Sequence, residues 1–355
     1  MIVSEFKNIK IAAIAASVSN NWTLLQEISD EDEKTLKKFS KQTGVQGRFN
    51  AGRYQTTSDF CFAAAKQIIQ EKSVDVNDIG ILVFVTQTPD YDIPATACIL
   101  HKRLGLSKDC IAFDVNLGCS GFTCGLNIVA SLLNNSNTKK ALLLAGDTLA
   151  KERDSNVKTK ASHSATLLFG DAGTATLLEK QDGKEKITMV SKTDGEGYKA
   201  IISPYGQWRH PVAPSDEHKG SSMDDVAVFN FTINEVPELL KETMNLGKFI
   251  PADYDCLVLH QANLFILKQV VKRSGFTMDQ TLVSIDKFAN TSSSSIPISL
   301  VNRYGEDSAS RPIHALMCGF GVGLSWSTVD CYLNTEDILP LIHTDEYFDD
   351  GYIDA

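Results

Sequence analysis

The sequence lacks an apolar run long enough to span a membrane. No stretch of its 355 residues approaches the ~20 apolar residues that a span requires, and the apolar run near the N-terminus is too short for a signal peptide. Basic residues are in the minority, with 34 Lys and Arg against 44 Asp and Glu and a formal net charge of −10. This balance argues against binding along a nucleic-acid backbone. We expect a cytoplasmic protein with neither a membrane nor a nucleic acid as partner.

The sequence also lacks closely spaced cysteine pairs. Its eight cysteines are scattered without CxxC spacing, which argues against a zinc site or a small disulfide scaffold. We therefore predict no metal and no cofactor, and we interpret most of the cysteines as small apolar residues of the core.

What the sequence does contain is an alternation of β-rich runs and helix-like segments. With 355 residues and 43% hydrophobic content, it can bury one large core or two fused ones. The alternation predicts an α/β fold with a largely buried sheet. The clearest predicted strands are residues 80–88, 110–115, 141–146, 256–260, 282–286 and 313–318.

The second half of the chain weakly repeats the first. GILVFVTQT is similar in layout to DCLVLHQAN, AFDVNLGCSGF to SIDKFANTSSS, and ALLLAGDT to HALMCGFG, in the same order. The repeat predicts duplicated α/β units whose strand ends meet at a shared crevice. We place the N-terminal half at residues 1–178 and the C-terminal half at residues 179–355.

Two segments lie outside this pattern. Residues 193–225 are rich in Gly, Pro and Ser, which predicts a long surface loop that could cover a substrate tunnel. Residues 335–355 form an acidic tail, for which we expect a solvated or partner-packed extension.

The strongest candidate for chemistry is Cys119 in NLGCSGF, residues 116–122, between a predicted strand and a helix. At a helix N-terminus, the dipole and free backbone N–H groups favour a nucleophilic thiolate and can bind an oxyanion. Taken alone, Cys119 could equally be a packing residue, which is how we interpret Cys124 in the following helix.

Three further motifs follow predicted strands. His260 in VLHQAN could be structural, Asn290 in FANTSSSSIP could be a helix cap, and the glycines of CGFGVGLSW let backbone approach a ligand closely. The glycine turn is not followed by the helix of a nucleotide-binding loop. Together the Cys, His and Asn at successive strand ends predict one catalytic site.

The order NLGCSGF, FGDAGTA, HQAN, NTSSSSIP and GFGVGLSW resembles the β-ketoacyl-acyl-carrier-protein synthase III family of the thiolase superfamily, from about residue 9 to residue 332. The resemblance implies a thiolase-like five-layered αβαβα fold, built from two duplicated halves, and a homodimer. It also implies acyl and malonyl thioesters as substrates and acyl carrier protein as a partner.

Site roles are carried over position by position. The resemblance makes Cys119 the acylated nucleophile, with His260 and Asn290 assisting malonyl decarboxylation, since two neutral donors stabilise charge on the thioester oxygen. The backbone N–H groups of Cys119 and of the turn at Gly321, Val322 and Gly323 are expected to hold the oxyanion. Further substrate contacts are expected from Asn263 (pantetheine arm), Phe320, and Ile93, which would line the partner subunit's acyl pocket and leave it roomier than a phenylalanine would.

The sequence departs from the family where relatives bind coenzyme A. Lys38 and Gln42 stand where Trp and Arg are usual, Phe265 replaces an arginine after HQAN, and His163 replaces another. Arginine is the usual bidentate partner of phosphate. We therefore predict that an acyl carrier protein or a specialised thioester, rather than free acetyl-coenzyme A, delivers the first acyl group.

The predicted reaction is a decarboxylative condensation that yields a 3-oxoacyl product and CO₂. A rival reaction is transfer of the Cys119-bound acyl group to an oxygen, nitrogen or sulfur acceptor, which gains little from a second donor such as Asn290. The sequence also admits a cysteine hydrolase or an inactive partner of an active homologue. The hydrolase leaves HQAN and the glycine turn unexplained, and the inactive partner leaves the joint presence of Cys, His and Asn unexplained.

Overall fold

The structure is a computed structural model. It describes residues 1–29, 31–151, 167–181, 183, 186–215 and 220–351, so that His163 lies outside the described residues. Within these ranges no helix is long and apolar enough to cross a membrane.

The first sheet has six strands in the order β15-β2-β8-β7-β5-β6. Strands β5, β6 and β7 run parallel, and β8 is antiparallel to β7 and to β2. Its strands are β2 (Ile9–Val18), β5 (Ile79–Val85), β6 (Ile111–Val115), β7 (Lys140–Thr148), β8 (Asp171–Lys180) and β15 (Ile342–His343).

The second sheet has five strands in the order β1-β9-β14-β13-β12, of which β12 and β13 are parallel. Its strands are β1 (Ile2–Phe6), β9 (Ile187–Thr193), β12 (Cys256–Leu259), β13 (Pro312–Gly321) and β14 (Ser325–Asn334). The chain crosses between the sheets at both ends, since β1 joins the second sheet and β15 the first.

The division into halves at residues 178/179 stays a prediction. Two short ribbons are also present: β3 (Trp22–Leu24) with β4 (Gly47–Phe49), and β10 (Ile201–Ile202) with β11 (Ser222–Met223).

Helices cover both sheets and fill the space between them. Helices α3 and α4 pack on the outer face of the first sheet, α6 packs on the outer face of the second with α7 against it, and α5 and α9 lie between the sheets. The described helices are α1 (Leu25–Ile28), α2 (Glu33–Thr43), α3 (Thr57–Glu71), α4 (Thr96–Arg103), α5 (Gly121–Asn134), α6 (Asp225–Gly247), α7 (Leu264–Ser274), α8 (Ile285–Phe288) and α9 (Ser295–Tyr304). This layering confirms the predicted five-layered α/β fold.

The largest hydrophobic core lies between the sheets. It joins Val83 of the first sheet and Met317 of the second to Leu126 of α5 and Ile298 of α9, all essentially inaccessible to solvent. Burial of apolar surface on this scale is the main favourable term in folding. The site residues are therefore attached to the strands and helices that form this core.

Five of the six predicted strands are present, but the strand predicted at residues 282–286 is wrong. Only Thr281 forms an isolated bridge, with Leu257, and the chain then enters α8. The side chain of Gln261 takes the place of a neighbouring strand: its Nε2 donates to the carbonyl oxygens of Leu259 and Leu282, and its Oε1 accepts from the N–H of Ser284. A glutamine amide thus satisfies the backbone groups that a ladder would have paired.

As far as residue 351 the acidic tail packs partly against its own chain and is partly exposed, with Tyr347 at 48%. Its packing against a partner stays a prediction. Strand β15 pairs with β2, and Gln55 Nε2 donates to the carbonyl oxygens of Thr344 and Glu346 at 3.1 and 3.0 Å. Residues 193–225, where described, lie largely at the surface as predicted, and Trp208 there is 97% exposed.

Candidate active site

Cys119 lies half-buried in the turn between β6 and α5. Space constrains the flanking glycines: a Cβ at Gly121 would come within 2.5 Å of the buried Val85 side chain, and one at Gly118 within 2.3 Å of Gln87 Oε1, so that the Gln87 side chain would have to move. Larger residues would push the turn away from β5. The sequence GCSG therefore fixes the sulfur at the carboxyl end of the first sheet.

The glycine turn after β13 closes over this sulfur. Gly321 has φ +153° and lies against the Cys119 side chain, and the backbone N–H groups of Cys119 and Val322 favour the thiolate by lowering the pKa of the thiol. The two backbone donors expected for an oxyanion thus both act at the nucleophile, and their binding of an oxyanion stays a prediction. Phe320, buried near the end of β13, packs edge-on against the ring of His260 with centroids 5.4 Å apart.

The resting thiol does not have the thiolate character expected from its place at a helix N-terminus. Burial, reinforced by the negative charge of Asp147, raises the pKa of Cys119 to about 12. Loss of solvation outweighs the backbone N–H groups that favour the thiolate. The nucleophile is therefore a neutral thiol that must lose its proton when it reacts.

His260 follows β12 directly and is only 1% exposed. Burial lowers the pKa of His260 to about 3, against a weaker opposing hydrogen bond with the backbone of Ser292, so the ring is neutral at physiological pH. Its Nδ1 lies 2.8 Å from Ser295 Oγ, which itself accepts from the N–H of Gln261 at 3.4 Å. Because Ser295 Oγ accepts one hydrogen bond, its own proton can be donated to Nδ1 of His260. Nδ1 is then the acceptor, which assigns the ring proton to Nε2.

Asn290 follows α8 rather than a strand and is buried. Its backbone is held between Leu168 and Gly170, and its Oδ1 accepts from the N–H of Ser292 at 2.9 Å. This bond fixes the amide so that its NH₂ group is on the other side and can donate to a ligand. The residue that joins the three candidates is Ser292, since its backbone contacts Asn290 and His260 and its side chain lies beside Cys119.

A fourth functional group, the carboxyl of Asp147 at the end of β7, was not found by sequence reasoning. It is fully buried, accepts from Gln87 N at 2.7 Å, Thr86 Oγ1 at 3.1 Å and Ser293 Oγ at 3.0 Å, and acts electrostatically on Cys119. Burial raises the pKa of Asp147. The available signal was an aspartate ending the apolar run ALLLAGD, at a strand end like the other site residues.

Three of the four departures from the family's coenzyme A residues, Lys38, Gln42 and Phe265, meet in one cleft of ≈ 340 Å³. It is lined by Lys38, Lys41, Gln42, Leu264, Phe265 and Lys268. Phe265 is half exposed and stacks on Phe229 with ring centroids 5.7 Å apart. The cleft is therefore basic and partly aromatic, although its charge comes from lysines rather than arginines.

Asn263 and Ile93 have different surroundings. Asn263 is half-buried and caps α7, with its Oδ1 accepting from Ile266 N at 2.8 Å. Helix capping thus accounts for the hydrogen bond of the side-chain oxygen and leaves the NH₂ group for another contact. Ile93 is 86% exposed on the surface of the single chain. Its side chain is thus not part of the buried site around Cys119.

Comparison with known proteins places this geometry in a family. The family model described as 3-oxoacyl-[acyl-carrier-protein (ACP)] synthase III matches residues 113–195, and the model of its C-terminal part matches residues 247–330. The chain is 31% identical to a putative 3-oxoacyl-[acyl-carrier-protein] synthase 3 of Campylobacter jejuni, over 97% of this chain and 99% of the relative. The chain belongs to the 3-oxoacyl-[acyl-carrier-protein] synthase III family.

Other members of the synthase III family are similar over nearly the same length. A β-ketoacyl-[acyl-carrier-protein] synthase III of Neisseria gonorrhoeae is 30% identical, over 89% of this chain and 95% of the relative. A crystal structure of a 3-oxoacyl-(acyl-carrier protein) synthase from Burkholderia xenovorans has a TM-score of 0.89 at 31% identity, covering 97% and 99% of the two chains. The resemblance stated from the motifs is therefore confirmed at the level of family and fold.

Proposed function

We propose that the protein is a 3-oxoacyl-[acyl-carrier-protein] synthase III. It loads an acyl group on Cys119 and condenses it with a malonyl thioester on acyl carrier protein, giving a 3-oxoacyl-[acyl-carrier protein] and CO₂. The observation that carries the proposal is the convergence of Cys119, the neutral His260 and the oriented amide of Asn290 around Ser292.

In the first half-reaction the sulfur of Cys119 attacks the thioester carbonyl carbon of the donor. Negative charge develops on the carbonyl oxygen, and the N–H groups of Cys119 and Val322 are placed to bind it. Collapse of the tetrahedral intermediate expels the donor thiol and leaves the acyl group on Cys119.

In the second half-reaction loss of CO₂ from the malonyl group moves an electron pair into an enolate, whose oxygen carries the charge. Nε2–H of His260 and the NH₂ group of Asn290 are neutral donors suited to that oxygen. The enolate carbon then attacks the acyl carbonyl on Cys119, and collapse of the tetrahedral intermediate breaks the C–S bond, releasing the 3-oxoacyl product and the Cys119 thiolate, which recovers a proton. Simple transfer of the acyl group to another acceptor requires no second hydrogen-bond donor. The presence of Asn290 therefore favours condensation over simple transfer as the reaction.

Acyl carrier protein is the proposed donor because the cleft is basic without the arginines of a nucleotide clamp. Lys38, Lys41 and Lys268 suit a phosphate and the acidic groups around it. We expect Lys38→Glu/Lys41→Glu to raise KM for carrier-bound substrates about tenfold at low salt and less at high salt, with little change in kcat. Lys7→Glu, on a solvent-exposed residue outside the cleft, is the control, and each single variant, Lys38→Glu or Lys41→Glu, matches it in charge. An equal effect of both changes would overturn the carrier assignment.

We propose that the protein is a cytoplasmic homodimer. Strand β6 is the edge of the first sheet and its Ile111 is 57% exposed, an arrangement suited to pairing with a second copy. The exposed Ile93 would then face the partner's acyl site. Sedimentation of the wild type against Ile111→Lys tests the dimer, because the lysine is expected to shift the equilibrium toward the monomer.

The decisive experiment is intact-protein mass spectrometry after incubation with a panel of acyl donors, followed by CO₂ release from a labelled malonyl thioester. The wild type should gain acyl mass and Cys119→Ser should not. Asn290→Ala should still be acylated but release CO₂ at least about 100-fold more slowly. Acyl mass on both the wild type and Cys119→Ser would exclude the proposal. Ester or amide product without CO₂ release would instead support simple acyl transfer.

A further inference from the structure

Ser292 combines three properties that packing does not explain. It is fully buried, its φ of +51° is in the left-handed region, and its Oγ has no hydrogen-bond partner among the described residues. Buried hydroxyls are normally satisfied, and strained backbone clusters at functional sites. The conformation is held by its N–H, which donates to Asn290 Oδ1.

The next residue, Ser293, donates to the Asp147 carboxyl from its N–H at 3.3 Å and from its hydroxyl at 3.0 Å, which brings this turn of the chain against the carboxyl. The unpartnered Ser292 hydroxyl in the same turn favours the charged form of both the Cys119 thiol and the Asp147 carboxyl, although it makes no hydrogen bond of normal geometry with either. A hydroxyl both donates and accepts, so a small rotation can join the two groups.

The hydrogen-bond partners of Asp147 suit its carboxylate to accept a proton. Its carboxyl accepts from the N–H groups of Gln87 and Ser293 and from the hydroxyls of Thr86 and Ser293, all of which are neutral donors. Neutral donors support a carboxylate without the deep fall in pKa that a cationic partner causes. The carboxylate therefore keeps some affinity for a proton.

We propose that Ser292 and Asp147 form a proton relay for Cys119. The S–H bond breaks as the proton moves to Ser292 Oγ, the original Ser292 hydroxyl proton passes to the Asp147 carboxylate, and the negative charge moves from Asp147 to the sulfur. The thiolate then attacks the donor, and the departing thiolate recovers a proton from Asp147 by the reverse path. The inference rests on the proposed role of Cys119 as the acylated nucleophile.

His260 is the obvious competitor for this proton, and its environment argues against it. Burial lowers the pKa of His260 to about 3, which makes the imidazole a weak base, whereas burial raises the pKa of Asp147. The same desolvation thus disfavours a charged histidine and favours a protonated carboxyl. His260 remains a neutral donor for the second half-reaction.

A relay has a measurable signature in the alkylation of Cys119 by iodoacetamide. At pH values above the titration of the Asp147 carboxyl and below that of the Cys119 thiol, the two groups together hold one proton. The fraction of molecules in which Asp147 holds that proton and Cys119 is a thiolate then does not change with pH. The wild-type rate constant should therefore be nearly independent of pH over the range between these two titrations. In Asp147→Asn and in Ser292→Ala the flat region should disappear, leaving about a tenfold rise per pH unit.

Two controls make the result specific. Ser294→Ala removes a buried serine of the same loop that bonds only to the carbonyl oxygen of Thr291, and it should keep the flat profile. His260→Gln should keep it as well. Acylation by a thioester donor at pH 7 should fall about 10- to 100-fold in Ser292→Ala, with a smaller effect on malonyl decarboxylation by enzyme that is already acylated.

A steep wild-type profile that Ser292→Ala leaves unchanged would overturn the relay, as would a flat profile lost only in His260→Gln. Either result leaves the proposed function intact as long as Cys119 is still acylated. Acyl mass on Cys119→Ser would instead remove the proposed function. Circular dichroism of each variant separates loss of the relay from loss of the fold, and Ser292→Gly, which tolerates the positive φ, replaces Ser292→Ala if the latter does not fold.

Discussion

Gly321 packs against the side chain of Cys119 so closely that a Cβ on Gly321 would lie 2.7 Å from Cys119 Cβ and 3.2 Å from its sulfur. The glycine therefore belongs to the nucleophile's environment as much as the helix N-terminus does. Its φ of +153° also suits glycine better than other residues. The two constraints together explain why the turn holds the Val322 N–H at the sulfur.

Gly321→Ala should displace this turn or the thiol and reduce acylation of Cys119 at least about 100-fold, the size of effect expected from losing one oxyanion donor. Intact-protein mass spectrometry over a time course measures the loss. Gly195→Ala is the matched control, because a Cβ there meets nothing within 4 Å. Unchanged acylation in Gly321→Ala would show that the turn does not position the donor.

The neutral state of His260 predicts a pH dependence of stability. With the pKa lowered to about 3 in the folded protein and an ordinary value of 6.5, the unfolded chain binds the proton first as the pH falls. His260 should thus cost about 2 kcal/mol of stability between pH 7 and pH 5. Urea unfolding at both pH values should show a smaller loss for His260→Gln than for the wild type. An equal loss in both would indicate that the histidine is not desolvated.

How far the sequence predicted the site depended on local pattern. Cys119 and the glycine turn were predictable because strand, turn and helix follow one another within a few residues. The neutral thiol was not, because its pKa depends on Asp147, which is 28 positions away, and on burial that only the packed sheets create. Fold class followed from the alternation of strands and helices, whereas the segment at residues 282–286 was mistaken for a strand because a side chain, Gln261, satisfies its backbone.

Gln261→Leu tests whether the Gln261 side chain takes the place of the missing strand. The change removes two donated bonds and one accepted bond in a fully buried place, leaving the carbonyl oxygens of Leu259 and Leu282 and the N–H of Ser284 without this partner. We expect a loss of about 2–4 kcal/mol in the free energy of unfolding. Activity should fall as well, since the same segment leads to Asn290. Gln269→Leu, which removes one exposed bond from Arg273, should cost less than about 0.5 kcal/mol.

Arg103 shows why the acidic tail folds back onto its own chain. Its guanidinium is almost completely buried, pairs with Asp59 at 2.9 Å, and lies between the rings of Phe62 and Phe348 at 4.3 and 4.7 Å. Phe348 comes from the tail, so the tail supplies one face of the cation's enclosure and shields the ion pair from water. A run of charges alone could not predict this, because the partners lie more than 240 positions apart.

Arg103→Met should lower the free energy of unfolding by about 3–5 kcal/mol, because it leaves Asp59 buried without its cation. The double variant Arg103→Met/Asp59→Asn should recover part of that loss, since the amide carries no buried charge and keeps an oxygen that can accept from the N–H of Thr56. Phe348→Ala should cost less, about 1–2 kcal/mol, and should make the tail more sensitive to limited proteolysis. Chemical unfolding measures the first two changes. If Phe348→Ala left both stability and proteolysis unchanged, the tail would contribute nothing to the enclosure of Arg103.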